Sequence, residues 1–218
     1  SVKLNRLDLV QALHHLVSFE LIGIYNAPVA PKRPVVVPKK IDGAMIQSVM
    51  MSLRREDTGM FIYPAFLYFL EEEYFRVYRA RGTMSALVFE MREVVPSDTG
   101  PKRRVLPSPA IADAAQRIAK RKRHTDVLGH YEAFDFAILL PGTGSEGAKV
   151  FVNKILKGLT EKPLVGMEGK QVSFTFGVAC IPEDFTDINM MLSASEIAMQ
   201  NARDKGKAMM LFKDITTT

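Results

Sequence analysis

The stretch from Val127 to Leu140 limits the fold more than any other part of the chain. Val127 to Tyr131 and Phe134 to Leu140 are apolar runs of strand length that flank a turn, and together they read as a β-hairpin. Helical patterns lie on both sides of it, at Ala110 to Arg121 and at Glu146 to Leu159. A hairpin set between two helices must find further strands to pair with. Ser85 to Met91, Val172 to Ile181 and Ala208 to Phe212 offer them. Residues 43–55, residues 64–81 opening at Pro64, and Met190 to Lys205 supply more helix, with Asp57-Thr58-Gly59 as a break. Residues 95–109 carry Pro96, Gly100, Pro101, Pro107 and Pro109 and read as a loop. Helices alternating with strands around one central hairpin predict an α/β domain with a mixed sheet flanked by helices.

The region before residue 41 is different. Leu7, Leu9, Val10, Leu13, Leu16, Val17 and Leu21 recur at helical spacing, so residues 5–24 are expected to be helical. Pro28, Pro31, Pro34 and Pro38 then forbid a continuous helix and favour an extended segment. We expect an N-terminal helix and Pro-rich linker over 1–40 and a domain over 41–218. The chain opens on Ser1 rather than Met, which leads us to expect a piece of a longer protein with domains upstream.

Composition is globular, with 47% hydrophobic and 24% charged residues. The lone Cys180 excludes an internal disulfide, fits a reducing compartment and sits in an apolar run, as a buried inert thiol would. Leu9 to Ala30 is interrupted by His14, His15, Glu20, Asn26 and Pro28, a poor bilayer segment without the marks of a signal peptide. A formal charge of +5 suits an anionic partner of some kind. The basic runs lack interleaved aromatics, and no helix-turn-helix or zinc pattern appears, so nucleic acid is not expected. His14-His15 lacks further ligands at metal spacing, and the twelve methionines read as core fillers.

The hairpin is preceded by Arg123 and Asp126, and its turn and second strand begin Glu132-Ala133-Phe134-Asp135-Phe136. This resembles the GGDEF domain of the diguanylate cyclase family. There an RxxD motif stands five residues before the Gly-Gly-Asp/Glu-Glu-Phe pentad, and that gap is kept here. Other patches are similar in order: Thr58-Gly59-Met60-Phe61, Ser85–Met91, Phe136–Pro141, Glu146-Gly147-Ala148, Phe174–Ala179 and Ala194–Lys207. The resemblance implies a GGDEF-like, nucleotide cyclase or palm-like fold, and a bacterial, cytoplasmic signalling protein.

It also implies that catalysis is lost. The family holds two divalent cations on GTP with acids from the first central strand and the pentad. Glu90 stands at the strand position, but Arg92 replaces a second acid and Phe134 replaces the pentad acid. Glu132 and Ala133 replace glycines that let backbone approach the nucleotide. Ser97-Asp98 and Pro107-Ser108 stand where guanine is read, and Arg203 stands in place of a phosphate-facing Lys. Glu90, Arg92, Glu132, Ala133, Phe134, Asp135, Phe136 and Arg203 are thus expected to form a degenerate former active site, with no metal, no cofactor and no enzyme activity.

The RxxD is the family's inhibitory site for cyclic di-GMP. A carboxylate can accept from the guanine N1–H and N2–H₂ edge, and a guanidinium reads O6 and N7. Arg123 and Asp126 are the expected ligands, with Lys154 as the third basic residue. The expected function is a cyclic di-GMP receptor. Three rivals remain: Arg123 and Asp126 as a surface contact of little energy; a ligand-independent interaction or dimerisation module with a protein partner or second copy; and a residual enzyme.

Overall fold

The computed structural model describes residues 6–19, 41–98, 100–132 and 135–215. The chain forms two compact units, Ser1–Asp42 and Gly43–Thr218. The first contains α1 (Arg6–Ser18). The expected Pro-rich segment and the part of the expected first helix beyond residue 19 lie outside the described residues.

The second unit is built on a six-stranded sheet: β1 (Met84–Val95), β2 (Lys102–Val105), β3 (Val127–Tyr131), β4 (Asp135–Pro141), β5 (Gln171–Ile181) and β6 (Met209–Leu211). The strand order is β3-β4-β1-β5-β6, with β2 paired to β1. All neighbours are antiparallel except β5 and β6, so the sheet is mixed. Five α-helices lie among the unit's described residues: α2 (Gly43–Ser52), α3 (Tyr63–Ala80), α4 (Ser108–Ala119), α5 (Ser145–Thr160) and α6 (Met191–Asp204).

The alternation of β1 explains the layers. Ala86 and Val88 project into a core shared with Phe66, Leu70 and Val77 of α3 and Met191 and Met199 of α6. Leu87, Phe89 and Met91 project to the other side, with Ala114 and Ile118 of α4 and Val152 and Ile155 of α5. A strand covered on both faces reads as a continuous apolar run, which is why Ser85 to Met91 shows no alternation. Two glycines set the closest approaches. A Cβ on Gly129 would lie 2.9 Å from Phe66 Cβ, so α3 packs directly on β3. One on Gly177 would lie 1.9 Å from the Ser195 carbonyl oxygen, so α6 rests on β5 backbone. Pro64 opens α3, and Arg81, in the left-handed region at φ 49°, closes it.

The expected loop over 95–109 is partly a strand. β1 runs on to Val95 and turns back at Ser97–Gly100 into β2, giving a polar two-stranded arm. Lys102–Val105 is exposed throughout, so no apolar alternation marked it in the sequence.

Candidate ligand site

The segment from the end of α4 to the start of β3 holds the RxxD pair. Asp126 is 3% exposed although it stands in a connecting segment. Its Oδ2 accepts from the Arg123 backbone N–H at 2.6 Å, which folds the four residues into a tight turn. The Asp126 backbone N–H donates back to the Arg123 carbonyl at 3.2 Å. Lys122 Nζ donates to the Asp126 carbonyl at 2.6 Å, and burial lowers its pKa against the pull of Asp126. The second carboxylate oxygen of Asp126, Oδ1, is buried and has no hydrogen-bond partner. An orphan carboxylate oxygen is costly and calls for an explanation. The Arg123 side chain is exposed, and no hydrogen bond or ion pair engages it among the described residues.

Asp126 lines a cavity of about 420 Å³ between this segment and α3. Tyr68, Phe69 and Phe61 give it aromatic walls, and Arg54 and Arg76 give it cations. The Arg54 guanidinium lies 3.8 Å over the Phe61 ring, and burial lowers its pKa. Arg76 is paired with Glu73 at 3.1 Å and remains largely exposed. Sequence reasoning missed these α3 residues. Their signal was there: Tyr68, Glu72 and Arg76 stand four apart, a stripe on one helix face.

Lys154 is not part of the cavity wall. It extends from α5, and its ammonium donates to the Arg121 carbonyl at 2.9 Å. It therefore fastens α5 to the segment leading into Arg123.

Of the residues expected to form a degenerate former active site, Glu90, Arg92, Asp135 and Arg203 come together at the other end of the hairpin. Glu90 is 2% exposed and sits inside three guanidiniums. Arg103 Nη2 donates to Oε1 at 2.6 Å, while Arg92 Nε and Arg203 Nη1 each lie 3.7 Å from Oε2. Arg92 also pairs with Asp135, and Arg103 reaches Ser173 Oγ at 3.1 Å. Arg103 was not among the expected residues. It arrives on β2, the strand hidden in the sequence. Phe136 belongs to the core, with its ring centroid 5.4 Å from that of Phe89. Glu132 is exposed at the hairpin tip with φ 48°. Ala133 and Phe134 lie outside the described residues.

Among the described residues no group of three or more His, Cys, Asp or Glu is arranged to hold a metal ion. At Glu90 the donor chemistry is also wrong for one. Guanidiniums hold both of its oxygens, and a divalent cation would meet three positive charges. The residues around Glu90 therefore do not fit a metal. No described helix is long and apolar enough to cross a membrane.

Residues 109–209 match the family model described as diguanylate cyclase, GGDEF domain. No curated protein matches the chain. Among solved structures, the GGDEF domain of YfiN (TpbB) from Pseudomonas aeruginosa is 18% identical with a TM-score of 0.60, covering 72% of this chain and 93% of that one. Diguanylate cyclase SiaD from the same organism, solved with its activator SiaC, is 18% identical with a TM-score of 0.61, covering 93% and 70%. The GGDEF domain of DgcB from Caulobacter crescentus, solved with c-di-GMP, is 12% identical with a TM-score of 0.60, covering 75% and 97%. These likenesses share the fold seen here: a mixed central sheet flanked by helices.

Proposed function

We propose that this chain, whose residues 109–209 match a GGDEF domain, is a catalytically inactive receptor for cyclic di-GMP. The observation that carries the binding half is the buried, unpartnered Oδ1 of Asp126, a residue that lines an aromatic-walled cavity, with the exposed Arg123 three residues before it and outside the lining. A guanine edge would supply the N–H donors that the carboxylate lacks, and Arg123 would take O6 and N7 or a phosphate. Tyr68 and Phe69 offer stacking faces, with Arg54 and Arg76 as further cations. Lys154 would join only by releasing the Arg121 carbonyl. The inactive half is supported by the three guanidiniums on Glu90.

Calorimetric titration with cyclic di-GMP, with GTP plus magnesium as control, tests both halves. Micromolar or tighter dinucleotide binding without GTP turnover is the expected result. Silence to the dinucleotide would reduce the RxxD to a surface remnant.

A second reading rests on α2. None of its residues is buried, and Met45, Ile46, Val49 and Met51 are 53% to 67% exposed. The exposed Ile46, Val49 and Met51 favour a docking or dimerisation module. Robust self-association that ignores guanine dinucleotides would support it over the receptor.

A further inference from the structure

A second cleft, of about 700 Å³, opens between the first half of α3, Tyr131 and Glu132 at the end of β3, and the start of α6. Its floor is apolar, from Leu67, Leu70 and Leu192. Tyr63 and Tyr68 present their rings, and Glu71 and Glu132 stand on its rim. In a chain of formal charge +5, no lysine or arginine is among its described lining residues. Tyr131 also lines it, donates to Glu196 Oε2 at 2.9 Å and meets the Tyr63 ring edge-on at 5.6 Å. The charges of Glu132 and Glu196 both act on the Tyr63 phenol and, after burial, help to raise its pKa. The cleft is therefore a negative, aromatic, partly greasy surface on a positive molecule.

The backbone of Glu132 points the same way. It holds a left-handed conformation that glycine adopts freely and other residues resist. The carboxylate is kept at the rim against that local preference, and such positions concentrate at functional sites.

We infer that this cleft docks an amphipathic, lysine- or arginine-bearing segment of a partner protein. Apolar side chains of that segment would cover Leu67 and Leu192. Its cations would meet Glu71 and Glu132 and lie over the faces of Tyr63 and Tyr68. Tyr68 also lines the Asp126 cavity, so the two sites share one side chain. Docking here requires nothing of the molecule that fills that cavity.

The test is fluorescence anisotropy with a labelled helical peptide bearing arginine on one face and leucine on the other. The control peptide has glutamate in place of arginine. Binding of the basic peptide alone is expected, weakened about tenfold or more by Glu71→Lys and by Glu132→Lys, and falling with added salt. Both substitutions are on exposed side chains, and Arg123→Ala should leave the peptide affinity unchanged. No binding, equal binding of both peptides, or affinity indifferent to both reversals would overturn the inference. Sedimentation of the unliganded chain is the second measurement. A dimer that Glu132→Lys dissociates would make a second copy the occupant and overturn the foreign partner.

Discussion

Arg103 Nη2 lies 2.6 Å from Glu90 Oε1, joining the exposed arm β2 to the most buried carboxylate of β1. Arg103 stands outside the motifs that carry the GGDEF resemblance, and it engages the carboxylate to which that resemblance would assign a cation. A carboxylate left at 2% exposure is sustained only by the cations around it.

Removing the carboxylate charge should therefore be costly. Glu90→Gln leaves Arg92, Arg103 and Arg203 facing one another, and a loss of about 2–3 kcal/mol is expected, below the full value for a deeply buried pair because the arginines are partly exposed. Denaturant unfolding would measure it. Stability unchanged in Glu90→Gln would mean that the cluster is loose in solution.

The RxxD pair should separate in its effects. Arg123 is exposed, so Arg123→Ala should abolish cyclic di-GMP binding and change stability by no more than about 0.5 kcal/mol. Asp126 also ties the turn through the Arg123 N–H, so Asp126→Ala should abolish binding and cost about 1–3 kcal/mol. Titration calorimetry alongside thermal unfolding distinguishes the two. Retained affinity in Arg123→Ala would remove that residue from the site.

Most of the fold was legible in the sequence because strands buried on both faces and helices with apolar stripes leave strong patterns. β2 left none: Lys102–Val105 is held by pairing with Arg92–Val95 and by the Arg103 contacts with Glu90 and Ser173, and no apolar face marks it. Of the candidate sites, Arg123 and Asp126 stood out in the sequence by resemblance to a motif, and Glu90 and Arg92 by where the resemblance places them. The partnership of Glu90 with Arg103 was not legible, because it spans the arm whose fold was hidden. The Asp126 cavity was not legible either. It depends on how α3 crosses β3, which the contact of Phe66 with Gly129 decides.

Acid should act on the domain in two windows. Burial depresses the pKa of His130, whose Nε2 hydrogen-bonds Thr58 at 2.8 Å, so the folded state binds its proton less readily than the unfolded chain. Stability should then fall as pH drops below the unfolded histidine value of about 6.5. Glu183 behaves as a stabilising carboxylate. Hydrogen bonds from the Ser145 hydroxyl and N–H and from Lys213 hold it at about 2. Its contribution is complete above the usual 4.5 and is lost as pH falls towards 2. Unfolding measured from pH 7 to 2 should show a first decline that His130→Asn reduces and a second that Glu183→Gln reduces. A profile identical in His130→Asn would show that the imidazole does not titrate with folding.

The α6 contact on β5 should tolerate no side chain. A Cβ at position 177 would stand 1.9 Å from the Ser195 carbonyl oxygen and 2.1 Å from the Met199 backbone nitrogen. Both atoms belong to helix backbone and cannot rotate aside, so α6 as a whole must shift. That shift would loosen Met191 and Met199 from Ala86 and Val88 and strain the Ser195 hydroxyl bond to the Ala86 carbonyl, now 2.9 Å. Gly177→Ala should cost about 3 kcal/mol or more, at the upper end for overpacking. Gly166→Ala serves as the comparison, since its added Cβ meets nothing within 4 Å and only its φ of 73° resists. Of the two, Gly177→Ala should show the larger fall in melting temperature. The reverse order would mean that α6 lifts from the sheet at little cost, and that the core on that face is softer than its burial suggests.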